Sequence, residues 1–411
     1  MKHFFFLFFI SVLAINAHAQ LTPDVTSWII NPGGQTGYGG LVSNVEQVQY
    51  SADNVYISAS CIPGYDIGPT WGSDPNKPAN QNFVYKLTRH PVANTGTAIG
   101  TPLGHIGVWK NGVSMFNAKD AHSYNNAGVW NQNAIMVEGS TFDNCLGHPA
   151  PNGEYHTHLN PRCLYDDTDS LHHSPLIGFG FDGFPVYGAY GFSNTDGTGK
   201  ITRMKSSYRM RSITDRTTLP GGGMASSAGP AISTQYPLGY YIEDFEYIKG
   251  LGDLDEHNGR FCVTPEYPKG IYAYFVTIDE NQTATYPYTL GLTYYGTVPD
   301  GNTGPTSGHN TVSEAVTTYS TSGVAEEAAK MTYEVYPNPA SQYVTIIIDP
   351  SDHNNAAMNI MDMNGKVIFH VEDLQPAVPF VVDLRNFASG SYLLTLTDGK
   401  GSVVRNLVVM K

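Results

Sequence analysis

The chain has 411 residues, of which only 14% are charged, and a formal net charge of −14 at pH 7. That length predicts two or three domains, and the acidic balance argues against nucleic acid and anionic membrane surfaces as partners. With 43 glycines, 26 prolines, 27 tyrosines and 18 phenylalanines, the composition predicts a mostly β, loop-heavy fold with few helices.

Residues 1–19 read as a secretory signal peptide. Lys2 opens it, Phe4 to Ile15 is nearly all apolar, and Ala17-His18-Ala19 forms a small-residue cleavage site. The apolar run is too short to span a bilayer, and no transmembrane segment is expected elsewhere. A first domain is expected over residues 20–298, with its core at about 50–297. Strands are predicted around Val48-Gln49-Tyr50, over Val55 to Ala59, over Val84 to Thr88 and over Ile106 to Trp109. Asn111-Gly112 is a strong hairpin signal between Ile106-Gly107-Val108 and Val113-Ser114-Met115. Asn117 to Asn133 is polar and carries Asp120 and His122, and Ala134-Ile135-Met136-Val137-Glu138 reads as a strand.

The most informative stretch runs from Asp143 to Gly191. Cys145 and Cys163 bracket His148, His156 and His158, and His172 and His173 follow closely. On a strand, His156 and His158 would share one face, with Tyr155 and Thr157 on the other. Two imidazoles so placed form a claw suited to Zn or Cu; the alternative is local hydrogen bonding without a ligand. Leu176 to Phe181 alternates glycine with large apolar residues, which marks backbone packed against rings or another segment. Asp182-Gly183 then turns the chain into Phe184-Pro185-Val186-Tyr187. Asp182 is the cap of that turn, a metal ligand, or a partner that orients an imidazole. Pro220-Gly221-Gly222-Gly223 reads as a surface loop. Asp253 to Arg260, with Asp255, Glu256 and His257, is a second polar constellation, and Ile271 to Thr277 is an aromatic strand.

Residues 299–330, rich in Gly, Thr and Ser, are predicted to be a flexible linker with His309 exposed. Residues 333–411 hold six or seven short strand signals, Asn364-Gly365 marking a turn between two of them, and predict a small immunoglobulin-like β-sandwich.

Two resemblances follow from these motifs. Tyr155-His156-Thr157-His158, with Gly147-His148-Pro149, His173-Ser174-Pro175-Leu176-Ile177-Gly178 and Phe181 to Gly188, resembles the YHYH-domain family, whose pattern is G-x-Y-H-Y-H-x-x-P-x-C-L. Thr157 replaces the second tyrosine of that pattern and falls on the face away from the histidines. The resemblance covers roughly residues 50 to 297 and implies a domain, without assigning a chemistry. The tail, with Tyr336-Pro337-Asn338-Pro339, Asp362-Met363-Asn364-Gly365-Lys366 and Ala388-Ser389-Gly390-Ser391-Tyr392, resembles the C-terminal sorting domain of the Bacteroidetes type IX secretion system. It implies the type IX machinery as a partner, and a secreted or cell-surface location. Four cysteines in an exported chain favour disulfides. Cys145 and Cys163 share one motif block and are expected to pair, which leaves Cys61 with Cys262.

Known site patterns narrow the chemistry. H-E-x-x-H, G-x-S-x-G and a phosphate loop are missing from the sequence, and no nucleotide cofactor is expected. The leading expectation is a Zn or Cu centre held by His148, His156, His158 and His173. If the site is catalytic, His173, Asp182 and Glu256 are the candidates. The alternatives are a non-enzymatic surface protein that binds glycan or polymer through exposed tyrosines and tryptophans, and a metal-independent hydrolase using the same histidines with Asp143, Asp182 or Glu256. The sequence names no extracellular ligand.

Overall fold

The computed structural model describes residues 21–217, 228–304, 307–320, 333–348, 356–362, 366–375, 378–398 and 401–411. The expected signal peptide, the glycine run at 220–223, residues 321–330 of the expected linker and the Asn364-Gly365 turn lie outside the described residues. The chain divides into two units, residues 1–319 and 320–411, and each is built mainly of strands.

In the first unit a single helical turn, α1 (Pro23–Thr26), precedes a sheet of β1 (Val45–Tyr50), β2 (Asn54–Ala59) and β3 (Phe83–Thr88), paired antiparallel in succession. Alternation places Phe83, Tyr85 and Leu87 inward, as a half-buried strand requires. Next come β4 (His105–Trp109), β5 (Ser114–Phe116), the pair β6 (Lys119–Ser123) and β7 (Asn131–Asn133), and helix α2 (Ala134–Glu138). They are followed by β8 (Gly147–Pro149), β9 (Tyr155–Thr157), β10 (Leu176–Gly180) and β11 (Pro185–Tyr187). Two small ribbons pair β12 (Tyr190–Phe192) with β13 (Ile201–Arg203), and β14 (Tyr208–Met210) with β15 (Phe245–Tyr247). β16 (Gly259–Cys262) and β17 (Ile271–Phe275) complete an eight-stranded sheet in the order β16-β17-β11-β10-β4-β5-β9-β8.

The β4–β5 hairpin turns at Asn111-Gly112 as expected. Gly112 has φ +80°, and a Cβ there would lie 2.5 Å from the Cβ of Ala59, so both conformation and space require glycine. The glycine alternation of β10 also has the expected cause: a Cβ on Gly178 would meet the Trp109 ring at 2.9 Å. Residues 134–138 are helical rather than extended. Five apolar-rich residues do not distinguish the two periods, and the deciding signal is Asn133, whose side chain accepts from the Ile135 amide as an N-cap.

The expected linker needs a second correction. Its described part is bound to the first unit. β18 (Thr317–Tyr319) pairs antiparallel with β1, and Glu314 accepts from Asn54 at 2.7 Å and from the Tyr56 hydroxyl at 2.8 Å. Ser307 bonds the buried His105, 2.9 Å from its Nε2. His309 is exposed, as expected.

The second unit is a sandwich of two antiparallel sheets. β19 (Tyr333–Tyr336), β20 (Tyr343–Ile348) and β23 (Phe380–Asp383) form one. β22 (Val367–Leu374), β21 (Ala356–Met361), β24 (Gly390–Asp398) and β25 (Gly401–Val409) form the other. Val344, Ile346, Met358, Ile360, Leu394, Leu396 and Leu407 fill the space between them.

Candidate metal centre

The centre is built at the edge of the large sheet, where β8 and β9 pair antiparallel with His148 directly opposite His156. The Cys145–Cys163 disulfide encloses both strands, and a loop of that length contributes roughly 3 kcal/mol in the chain-entropy picture. Gly147 is obligatory, because a Cβ there would fall 2.4 Å from the Tyr155 ring. Asp143 organises the approach to β8. It accepts from the Cys145 and Gly147 amides, the Tyr155 hydroxyl and the Trp71 indole. Its oxygens are saturated with donors, which removes it as an acid or base.

The faces separate as the i, i+2 spacing requires. Tyr155 reaches Asp143, and Thr157 accepts from the Trp109 indole at 2.9 Å. On the opposite face the rings of His156 and His158 lie 4.9 Å apart, and those of His148 and His156 lie 4.5 Å apart. One ligand atom from each of the three histidines lies within 4.8 Å of the others. All three residues are buried, and Phe116 stacks on His156 at 3.8 Å.

The tautomers follow from the partners of Nδ1. In His156 it faces the Glu154 carbonyl at 3.1 Å, and in His158 the Asn117 carbonyl at 2.6 Å. A carbonyl only accepts, so both Nδ1 atoms carry hydrogen. His148 Nδ1 lies 2.8 Å from Thr141 Oγ1, whose own hydrogen goes to the Glu138 carbonyl at 2.7 Å; His148 therefore donates as well. In the neutral rings each Nε2 is then a bare lone pair. The Nε2 atoms of His156 and His158 meet at 3.2 Å, and His148 Nε2 is buried without a partner. Burial, and secondarily the His158 ring, pushes His148 down to about 4; burial and the two neighbouring rings push His156 well below its usual value. These rings are uncharged at neutral pH, the form in which imidazole binds a metal.

Sequence reasoning missed Glu138. Its Oε2 is 3.2 Å from His158 Nε2 and 3.9 Å from His148 Nε2, without hydrogen-bond alignment to either. Burial pushes its carboxyl up, but His158, His148 and His122 outweigh that and hold it below the usual range. The helical capping signal at Asn133 was the clue that could have placed it, since it fixes the turn of chain on which Glu138 is carried. Glu138 also helps raise the neighbouring Asp120, after burial. Asp120 and His122 therefore approach the cluster from the β6 side.

Other expected participants lie elsewhere. His172 is exposed and pairs with Asp169 at 2.9 Å. His173 turns inward but not to the cluster: its ring packs against Tyr187, Phe192 and Phe275, and its Nδ1 lies 2.8 Å from the Ser174 carbonyl. Asp182 is fully buried and accepts from the Tyr274 hydroxyl at 2.6 Å and from the Gly296 and Phe184 amides, so it caps its turn and ties three segments. Burial raises it to about 6. Glu256 is exposed and Asp255 accepts from the His257 and Gly259 amides and Tyr272. Arg260 donates to the Phe192 carbonyl. The expected Cys61–Cys262 bridge is not formed; both thiols are free and buried. Cys61 turns toward β5 and β9, donating to the Tyr155 carbonyl at 3.0 Å, whereas Cys262 ends the outermost strand β16. The aromatic side chains expected to be exposed are largely covered in the first unit. Trp28, Trp71, Trp109 and Trp130 are buried, and the described tyrosines of the first unit are all buried or half-buried.

His173 supports a measurable expectation. Burial pushes its ring down to about 4, below the ordinary 6.5. Between those values the unfolded chain binds the proton and the folded one does not, so this contribution is whole above 6.5 and is lost as pH falls toward 4. His173→Phe is expected to narrow the stability gap between pH 7 and pH 5 by roughly 2 kcal/mol. Urea midpoints of both proteins at the two pH values measure it, and an unchanged gap would contradict the assignment.

Residues 84–287 match the family described as YHYH protein, and residues 334–410 match the secretion system C-terminal sorting domain. The chain is a YHYH-domain protein with a C-terminal sorting domain. A search of curated proteins gives no match. The sorting domain implies export, either to the cell surface or by secretion. No helix among the described residues is long and apolar enough to cross a membrane.

Proposed function

We propose that this protein is exported by the type IX system, after cleavage of the signal peptide at 1–19, and holds one Zn or Cu ion on His148, His156 and His158. The observation that carries this reading is the pattern of Nδ1 bonds. Each Nδ1 is committed to a protein oxygen, so that in the neutral rings the Nε2 lone pairs are directed into one cluster under Phe116 and Phe142. Lone pairs so arranged repel one another, and a cation turns that repulsion into bonding. Metal-binding histidines use the same arrangement, with the far ring nitrogen anchored by an acceptor. An imidazole-rich donor set favours Zn or Cu over Ca or Mg.

When bound, such an ion supplies Lewis acidity and activates water. The chain's own residues fix the rings, exclude bulk water from their buried faces and bring Glu138 to the open side. The full-length protein, stripped with a chelator and then exposed to Zn or Cu, is expected to retain about one equivalent by elemental analysis. Retention of neither metal would overturn the proposal.

A further inference from the structure

Glu138 stands in a different relation to the cluster than the histidines do. Bonds of about 2.0–2.1 Å to a tetrahedral ion place neighbouring donors about 3.3–3.4 Å apart. The observed separations are 3.2 Å for His156 Nε2 to His158 Nε2, 3.2 Å for Glu138 Oε2 to His158 Nε2 and 3.9 Å for Glu138 Oε2 to His148 Nε2. Glu138 Oε2 is thus at donor spacing from His158 Nε2 and wider from His148 Nε2, at the border of the compact group that the three histidines form. A carboxylate acting only on a bound water would sit outside the sphere, farther from the ring nitrogens. Both Glu138 Oε2 and His148 Nε2 are buried atoms without hydrogen-bond partners, so the vertex is aimed inward and unclaimed.

The supports differ too. The histidine side chains at 148 and 158 are 5% and 3% exposed, while Glu138 is 29% exposed. The histidines sit on or beside disulfide-enclosed strands, whereas Glu138 ends a five-residue helix followed at once by a 3-10 turn over Gly139–Thr141. It is the donor that faces water and has the lightest framework behind it. Asp120 and His122 lie within electrostatic range of Glu138, and Asp74 Oδ2 stands 3.8 Å from His148 Nδ1. Carboxylates near the cluster favour a cation there.

Building on the metal reading above, we infer that Glu138 is the fourth ligand of the ion and its exchangeable one: it closes the site as a three-imidazole, one-carboxylate tetrahedron and swings out to admit or release a divalent ion. The ligand class is a borderline divalent cation (Zn2+, Cu2+ or Co2+). The vertex that Glu138 vacates is where a small coordinating molecule would bind. One turn of helix carries the gate.

Cobalt tests this on the full chain, because its visible spectrum reports coordination. Wild type and Glu138→Gln are each loaded with Co2+, then challenged with excess chelator. Glutamine has the same shape and Glu138 is half-exposed, so the variant is expected to fold, which circular dichroism checks. Glu138→Gln is expected to retain cobalt on the triad with an altered visible spectrum, bind it at least about 10-fold more weakly and release it correspondingly faster. If spectrum, affinity and release all match the wild type, the assignment of Glu138 is overturned and the triad stands. If the wild type itself takes up no cobalt, both the triad and its fourth ligand fall.

Discussion

Replacing His156 and His158 together by alanine is expected to abolish metal uptake. The pair supplies two of the three Nε2 donors, which lie 3.2 Å apart. Loss of an outer-shell partner alone costs roughly 10–100-fold in affinity, so removal of two direct ligands should weaken binding by roughly 10^3-fold or more. The change also leaves the Asn117 and Glu154 carbonyls without their imidazole donors, so folding must be checked in the same sample. His172→Ala is the matched control, since that ring is exposed and bonded only to Asp169. Calorimetric titration with Zn or Cu measures the difference. Equal uptake by the double variant and the wild type would remove the histidine cluster from any metal role.

The second large effect lies away from the centre, at Arg216. Its guanidinium and the Asp244 carboxylate are both fully buried and meet through two bonds of 2.8 Å. Arg216 also donates to the Pro230, Tyr236 and Pro237 carbonyls and lies over the Tyr241 ring at 5.0 Å. Asp244 in turn accepts from the Gly239 and Tyr241 amides. The side chain thus ties Pro230, Tyr236 and Pro237 to Asp244. Arg216→Met keeps the bulk and removes the charge, leaving the buried Asp244 carboxylate without its counter-ion and the Pro230 carbonyl without its guanidinium donor, while the Tyr236 and Pro237 carbonyls keep the Ser233 and Tyr240 amides. Breaking one side of a buried pair costs roughly 3–5 kcal/mol, and that loss is expected in chemical denaturation of the first unit. Arg216→Met/Asp244→Leu should recover part of it, because the stranded charge goes too. A loss under about 1 kcal/mol for the single change would contradict this account.

What could be read from the sequence depended on the range of the interaction. The claw of His156 and His158 is a two-residue feature, and a strand's alternation sets it without help from the rest of the fold. The same holds for the Asn111-Gly112 turn and the strands of both units. His148 required knowledge of strand register, which the family resemblance supplied in outline. Glu138 was missed because a five-residue apolar run fits either period, and without the Asn133 cap the wrong choice removes any reason for its carboxylate to turn toward His158. His173 failed for the opposite reason. It begins a matching motif and does face inward, but into an apolar pocket formed by Tyr187, Phe192 and Phe275. Cysteine counting could not foresee that Cys61, just past β2, would face β9. Composition misjudged the region after Pro299: few of its side chains enter a core, yet its backbone and small polar groups complete a sheet.

That last arrangement sets where the first unit can be cut. A chain ending near 299 loses the strand that flanks β1, baring its amides and carbonyls to other molecules. It also takes from His105 the hydroxyl at its Nε2, although that ring bonds Glu154 at 2.7 Å and Glu154 offers its carbonyl to His156. Proteolytic or engineered separation of the two units keeps the support of the histidine cluster intact only on the C-terminal side of Tyr319.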